Sequence, residues 1–390
     1  MMNKIVSKLK QKGFRWFIWR LGRELRAPSI PLLKLVIDKY LQFKKKTLKN
    51  WSETREDDFL YAIYDLDENA ITFNVVEILL DAEYEASVRN KVGFVMVFVP
   101  RSNDPSLTYE EYDALFDADN KLWKFQNIVL PVSLLSEKCK GAYLLPKRSD
   151  AVEFVKGRDV IPDLYDGVNL RGAVDGRELF KKLDRPNVFE GLRAPKQGMR
   201  YIQKWLLENN IKEPIVTITI RNFQFDKARN SNIEAWSQFV KYLRSAGYIP
   251  VVIPDTDTAF CEDQLFDEAI LFKECAWNIG LRTSLYETAY LNFFVPNGCS
   301  QLAVFNPKCS YIMMNCLPAG SIVTTKETYE QNDHPIGTNY RFATPNQRLC
   351  FNADTLENIM HEFERFIEDQ RPQATNEISS HSPNTGLTSD

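Results

Sequence analysis

The residues best suited to chemistry gather in the second half of the chain, in three polar stretches that each follow an apolar run. The first is Arg221-Asn222 and the cluster Arg229, Asn230, Ser231 and Asn232, where a helix is expected to begin. A strand-end arginine presents a planar fork that grips a phosphate through two bonds. Asn and Ser cap helix N-termini, whose free N–H groups attract anions. Arg221, Arg229 and this helix start therefore suit a diphosphate; the plainer alternative is a cap with Arg221 paired to a carboxylate. The second stretch is Asp255-Thr256-Asp257. Asp255 is placed to accept hydrogen bonds from ribose or sugar hydroxyls, or simply to form a turn. The third runs from Arg282 to Ser300, with Glu287 inside a helix, Asn297-Gly298 after a short strand, and Ser300 opening a helix. A glycine there lets the backbone approach a ligand closely, although Asn-Gly is also an ordinary turn.

Other chemistries lack their residues. There is no GxGxxG fingerprint and no GxxxxGK[ST] loop, which disfavours classical dinucleotide binding and P-loop hydrolysis. The histidines are His334, His361 and His381, and no GxSxG elbow accompanies them. Acid–base work falls to Asp or Glu. Asp65-Leu66-Asp67 and Asp255-Thr256-Asp257 have the DxD spelling, which arises often by chance, so metal-independent chemistry and no cofactor are expected. The seven cysteines contain no CxxC pair, which argues against a zinc site or a disulfide framework.

The elements that must position these residues read as an α/β alternation. Phe59–Tyr64, Val92–Val99, Asn127–Leu130 and Ala142–Leu145 are expected strands, with helices over Thr72–Asn90 and Tyr109–Phe116. Residues 157–195 hold five glycines and three prolines and read as a long loop or interdomain connection. Beyond them, Gln197–Asn209 is an expected helix, Ile215–Ile220 a strand, Asn232–Ala246 a helix stopped by Gly247, and Ile249–Ile253 a strand. That is a βαβ unit. Thr283–Leu291 reads as a helix, Phe293–Val295 and Ser310–Met314 as strands, and Thr355–Glu368 as a last helix. In such parallel sheets ligands sit beyond the carboxyl ends of the strands, where the three polar stretches fall.

The chain of 390 residues suits two domains. A basic amphipathic arm is expected over residues 1–50, an N-terminal Rossmann-like domain over 51–190, a C-terminal one over 191–370, and a disordered polar tail over 371–390. The net charge of −3 hides a local +12 in residues 1–50 against −15 in the remainder. Phe14, Phe17, Ile18, Leu21 and Leu25 share one helical face, opposite Arg15, Arg20, Arg23 and Arg26. That pattern suits an anionic inner membrane surface, each basic residue contributing about 1 kcal/mol. It also suits packing on the protein's own core or on a second subunit. No nucleic-acid module follows the arm. Neither a signal peptide nor a membrane-spanning run is present, so a cytoplasmic or peripheral location is expected.

The run IVTITIRNFQFDKARNSNIEAWSQFVKYLRSAGYIPVVIPDTD, with LYETAYLNFFVPNGCSQLAVFNP after it, resembles the C-terminal nucleotide-sugar domain of GT-B glycosyltransferases of bacterial surface-polysaccharide biosynthesis. It is distantly similar to fucosyltransferase-like enzymes, which carry an arginine after the first strand of this domain, matched here by Arg221. Their double arginine is Arg221-Asn222 here. The likeness spans about residues 195–320. It implies two Rossmann-like domains facing across a cleft. It also implies transfer of a sugar from a nucleotide-activated donor to a polysaccharide or lipid-linked acceptor. The first domain would supply the catalytic base, for which Asp65 and Asp67 stand at a strand end. A nucleotide-sugar epimerase of the same fold and a non-catalytic, membrane-associated binding protein of a polysaccharide assembly complex are the alternatives.

Overall fold

The computed structural model describes residues 14, 18, 21–22, 24–25, 28, 30–47, 58–102, 115–169, 176–183, 190–260 and 266–371. Helix α1 (Pro31–Thr47) comes first, then β1 (Phe59–Asp65), α2 (Val75–Val88) and β2 (Gly93–Val99). All of β2 and all but the first residue of β1 are buried, as expected of parallel strands covered on both faces. Helix α3 (Ala118–Lys124) continues through a π-helical stretch, Phe125–Val129, into α4 (Leu130–Ser133). Strand β3 (Cys139–Leu144), helix α5 (Asp150–Phe154), the short β4 (Val160–Ile161) and helix α6 (Gly176–Leu183) complete the first half. Its sheet has the order β3-β2-β1-β4, all parallel.

The second half opens with α7 (Lys196–Glu208), β5 (Ile215–Thr219), α8 (Ile233–Ser245) and β6 (Ile249–Ile253). It continues through β7 (Ile270–Leu271), α9 (Ile279–Thr288), β8 (Leu291–Phe294), α10 (Gln301–Val304) and β9 (Tyr311–Met313). Helix α11 (Lys326–Gln331), β10 (Gln347–Leu349) and α12 (Leu356–Gln370) follow. The sheet order is β10-β9-β8-β5-β6-β7, again all parallel. The expected α/β architecture of two parallel sheets is thus the one found. Trp236, Phe239, Phe293 and Phe363 interlock edge-on to seat α8 and α12 on one face of the second sheet. The other face belongs to a core shared with the first half.

Three sequence expectations are corrected. Asn127–Leu130 is helical, not a strand: Asp117 caps α3, and Asn127 Nδ2 donates to the Trp123 carbonyl within the continuing helix. Three apolar residues after Asn127 have no period of their own, so the capped helix before them decides. The supposed loop 157–195 contains β4, paired to β1, and α6. The helix placed at Thr283–Leu291 begins earlier, at Ile279, because Asn278 caps it, and it ends at Thr288 so that Leu291 starts β8. The helix expected over Tyr109–Phe116 falls mostly outside the described residues, and so does the tail beyond Arg371.

Residues 190–194 fasten the two halves together. Glu83 on α2 accepts from the Glu190 and Gly191 amides, at 2.6 and 3.1 Å, and from Ser136 Oγ at 2.8 Å. Leu192 N–H donates to the Phe305 carbonyl and Arg193 N–H to that of Leu135. Ahead of the first sheet, α1 buries Leu41 and joins Lys44 to Asp166 at 2.9 Å. Its Leu32, Leu35, Val36, Tyr40 and Phe43 are exposed, as are Phe14, Ile18, Leu21 and Leu25 of the arm. Among the described residues no helix is long and apolar enough to cross a membrane.

Candidate active site

The carboxyl ends of the two sheets face each other. Phe116, beyond β2, stacks on Phe223, beyond β5, with centroids 6.0 Å apart. Phe73, in the turn after β1, lies against Gly298, after β8: a Cβ at Gly298 would sit 2.6 Å from the Phe73 ring, so only glycine allows this approach. The second sheet runs outward from β5 to β6 and β7 on one side, and through β8, β9 and β10 on the other. The switch in strand order, where a crevice opens in such sheets, therefore lies between β5 and β8.

Arg221 follows β5 and is buried, but its guanidinium is spent locally. It donates to the carbonyls of Phe225 and Asp226 and to Asn230 Oδ1, and so pins the loop 222–230. Its backbone exchanges bonds with Ser231, N–H to Oγ and carbonyl to N–H, both at 2.9 Å. Burial, helped by the nearby Arg229, depresses its pKa to about 10 against the pull of Asp255 and Asp226. Arg229 pairs with Asp226 at 2.9 Å, and burial likewise lowers its pKa. Asp226 has φ +54° and also accepts from Ser321 Oγ, joining this loop to the segment after β9. Asn232 caps α8 through the Ala235 amide and donates its own N–H to Asp354. The Arg221–Asn232 cluster is thus a self-braced loop around the start of a helix.

Arg282 is different. It projects from α9, and Thr219–Tyr286 and Thr217–Asn292 hydrogen bonds join α9 and β8 to β5. Only 3% of Arg282 is exposed, and its Nε donates to the Cys275 carbonyl at 2.6 Å. The two terminal nitrogens make no hydrogen bond among the described residues, and neither is sealed from solvent. Asp255 lies within electrostatic reach of both Arg282 and Arg221, and its Oδ2 accepts from the Asn222 amide at 3.0 Å. Burial raises the Asp255 pKa. Asn297 accepts from the Ser300 amide at 2.7 Å, and Ser300 Oγ returns a bond to the Asn297 carbonyl. Asn297 Nδ2 is buried with no partner among the described residues, an open donor beside Arg282's neighbour Cys299.

Around the crevice the structure thus brings together Arg221, Asn222, Arg229, Asn230, Ser231, Asp255, Arg282, Asn297, Gly298 and Ser300. Asn232 serves the helix beneath. Glu287 turns away: its Oε1 accepts from the Ala194 amide and Asn306, holding the interdomain segment. Asp65 and Asp67 lie at the carboxyl end of β1 but are committed. Arg148 grips both oxygens of Asp65 at 2.8 and 2.6 Å and lies 3.1 Å from Asp67 Oδ2, while Tyr165 donates to Asp65 at 2.7 Å. Asp67 Oδ1 accepts from the Ser102 amide. An acceptor hydroxyl has no open lone pair to meet on Asp65.

Two charged residues were not among the sequence expectations. Lys124, at the end of α3, stands over the Phe116 ring at 3.3 Å and within reach of Asp255 and Asp257 across the cleft; burial lowers its pKa to about 8. Arg148 lies after β3 in a stretch of ordinary surface composition. Neither carried a motif, since both act through a neighbour distant in sequence. Among the described residues no three His, Cys, Asp or Glu side chains gather to hold a metal ion.

No protein-family model matches the sequence, and neither does any curated protein. Solved structures do resemble the fold. A glycosyl transferase family 9 protein from Veillonella parvula superimposes with a TM-score of 0.50 at 9% identity, covering 81% of this chain and 99% of that one. The E. coli ADP-heptose lps heptosyltransferase II gives 0.45 at 10% identity, covering 80% and 98%. An E. coli heptosyltransferase with ADP-2-deoxy-2-fluoro heptose gives 0.38 at 13%, covering 79% and 99%. The first of these extends the likeness of fold across both sheets.

Proposed function

We propose that this protein is a glycosyltransferase that moves a sugar from a nucleotide-activated donor to a polysaccharide or lipid-linked acceptor without a metal ion. The observation that carries the reading is Arg282: a guanidinium buried at the switch point with both terminal nitrogens unbonded. Burying an unpaired charge costs several kcal/mol, so the site is organised for an anion that arrives later. A diphosphate between Arg282, the Asn297–Ser300 turn and the braced Arg221 loop meets two or more charge-assisted bonds. The same groups stabilise charge on the diphosphate as it leaves, the work a divalent cation does in other sites. Asn222 and Thr258 border an apolar cavity of about 160 Å³ at the ends of β5 and β6, a fitting seat for the nucleoside. Lys124 closes on the donor from the first half.

The family 9 protein from Veillonella supports the choice of reaction by analogy of fold alone. The exposed apolar residues of α1 and the arm, among lysines such as Lys34 and Lys39, suit contact with an anionic inner membrane surface that presents the acceptor. The test is a panel of UDP-, GDP-, ADP- and CMP-sugars, read by calorimetric binding and by release of free nucleotide. Binding and turnover of at least one are expected; neither binding nor turnover with any would refute the assignment.

A further inference from the structure

We propose that the aromatic cavity between α6 and the segment 332–342 binds one uncharged pyranose ring, a sugar residue of the acceptor glycan away from the reacting hydroxyl, an inference that rests on the function proposed above. The cavity measures about 260 Å³ and takes its walls from both halves, Phe180 from the first and His334, Tyr340 and Phe342 from the second. Its place in the fold comes first. Tyr329 Oη donates to the carbonyl of Cys316, just after β9, and the Leu349 amide of β10 donates to Asn339 Oδ1, so the segment lies along the β9–β10 flank of the second sheet. The nucleoside seat lies at the ends of β5 and β6, on the opposite flank of the switch point. A donor and an occupant of the aromatic cavity can therefore be held at the same time.

The floor of the cavity is a fixed apolar face. Phe342 is sandwiched between Tyr340 and Phe305, with centroids 5.1 and 5.3 Å away and planes 7° and 23° apart. Phe180 leans on Tyr340 and Phe342 at 5.6 and 5.9 Å, and His334 stands edge-on to Tyr340 at 4.9 Å. Rings packed from several sides in this way hold their orientation. A pyranose is amphiphilic: it presents a flat face of C–H bonds, which such a floor receives, and a rim of hydroxyls, which need polar partners once they leave water.

The polar atoms around the floor supply those partners. His334 Nε2 lies 3.0 Å from the Thr338 carbonyl; a carbonyl only accepts, so Nε2 carries the proton. Burial lowers the His334 pKa, which keeps the ring neutral and Nδ1 an acceptor. Neither Nδ1 nor the Tyr340 hydroxyl is sealed from solvent, and neither has a hydrogen bond among the described residues. The Asn332 side chain is likewise unbonded there, and Asn339 keeps its Nδ2 open. An acceptor, a phenol and two amides thus surround one aromatic floor, and sugar hydroxyls, which both donate and accept, can meet all of them. A wholly apolar ligand would bury Nδ1 and Oη without partners. An anion finds less: His334 is neutral, Arg341 at the mouth already faces Asp333 at 3.6 Å, and Lys181 is itself engaged.

The experiment is saturation-transfer NMR on the full chain with the methyl glycosides of glucose, galactose, rhamnose and N-acetylglucosamine, with and without saturating UDP, GDP or ADP. At least one glycoside is expected to bind, with the strongest transfer to its ring C–H protons, and to stay bound when the nucleotide is added. Thr338→Trp, at an exposed position of the mouth, should fill the cavity, and Tyr340→Leu should remove part of the floor and one hydroxyl. Each should weaken glycoside binding by about tenfold or more while leaving the nucleoside diphosphate Kd within about twofold of wild type. Thr338→Trp carries the comparison if Tyr340→Leu lowers the Tm, since the Thr338 side chain bonds only to the Pro335 carbonyl two turns of loop away from the floor. The inference is overturned if no glycoside binds, if binding survives Thr338→Trp, or if the nucleotide displaces the glycoside, which would put the sugar in the donor site. Each of those results leaves the transferase reading standing so long as the nucleotide-sugar panel shows turnover. A protein that turns over nothing in the panel overturns the function, and the acceptor role of the cavity with it.

Discussion

Replacing Arg282 by Met separates a binding residue from a structural one. In the free protein the Arg282 side chain makes a single hydrogen bond, from Nε to the Cys275 carbonyl, and is 3% exposed. Methionine loses that bond, about 1 kcal/mol, but removes the penalty of a buried unpaired cation, which amounts to several kcal/mol. Stability should therefore stay within about 1 kcal/mol of wild type or rise above it. Binding should move the other way. Two charge-assisted bonds to phosphate, at about 1.5 kcal/mol or more each, correspond to ~100-fold or more in Kd. Arg221→Ala is the control. Its guanidinium holds Phe225, Asp226 and Asn230, so its loss should cost about 2–4 kcal/mol of stability and weaken binding by loosening the loop. Urea unfolding gives the first quantity and titration calorimetry with UDP, GDP and ADP the second. An Arg282→Met protein that is destabilised by 3 kcal/mol or more, with unchanged nucleotide affinity, would make Arg282 a structural residue and refute the reasoning.

Arg148→Met should destabilise the first half by about 3–5 kcal/mol, because it strands the buried Asp65 and Asp67 carboxylates, and it should do so less at low pH, where Asp65, whose pKa burial raises, takes up a proton; urea unfolding at pH 7 and pH 4 checks this. Burial holds the Lys124 pKa near 8, so its charge is present below that pH and lost above it. Nucleotide affinity should accordingly fall as pH rises through about 8, binding near pH 8 should take up a proton seen as a buffer-dependent heat, and Lys124→Gln should flatten both. The unfolded chain binds that proton up to about 10.5, so the contribution of Lys124 to stability grows over the same window. For the arm, sedimentation with vesicles rich in phosphatidylglycerol should retain the protein and vesicles of phosphatidylcholine should not. Leu35→Glu with Phe43→Glu should weaken retention by tenfold or more, and unchanged retention would remove α1 from the contact.

The architecture was legible wherever the strands are long and buried on both faces. Val92–Val99 is a continuous apolar run, Ile215–Ile220 alternates buried aliphatics with the β-branched Thr217 and Thr219, and Asn232 announces the helix it caps. Legibility failed at Asn127–Leu130, where a short apolar run belongs to a helix begun ten residues earlier at Asp117. The three polar stretches did converge, because the rule that ligands lie at strand carboxyl ends needs only the order of elements. Which arginine stays open was not legible: Arg221 and Arg282 have the same chemistry in sequence, and only the loop carbonyls around Arg221 distinguish them. Asp65 and Asp67 looked available because Arg148, eighty residues later, cannot be paired with them by spacing.

The central claim is that a nucleoside diphosphate lies at the switch point between β5 and β8. A crystal of the full chain soaked with UDP, GDP or ADP tests it most directly. The expected density places the phosphates against the Arg282 guanidinium and the Asn297–Ser300 turn, with the nucleoside over Asn222. Phosphates seated elsewhere would contradict it. One such place is the aromatic cavity of about 260 Å³ between Phe180, His334 and Tyr340; another is the Arg148 side of the first sheet.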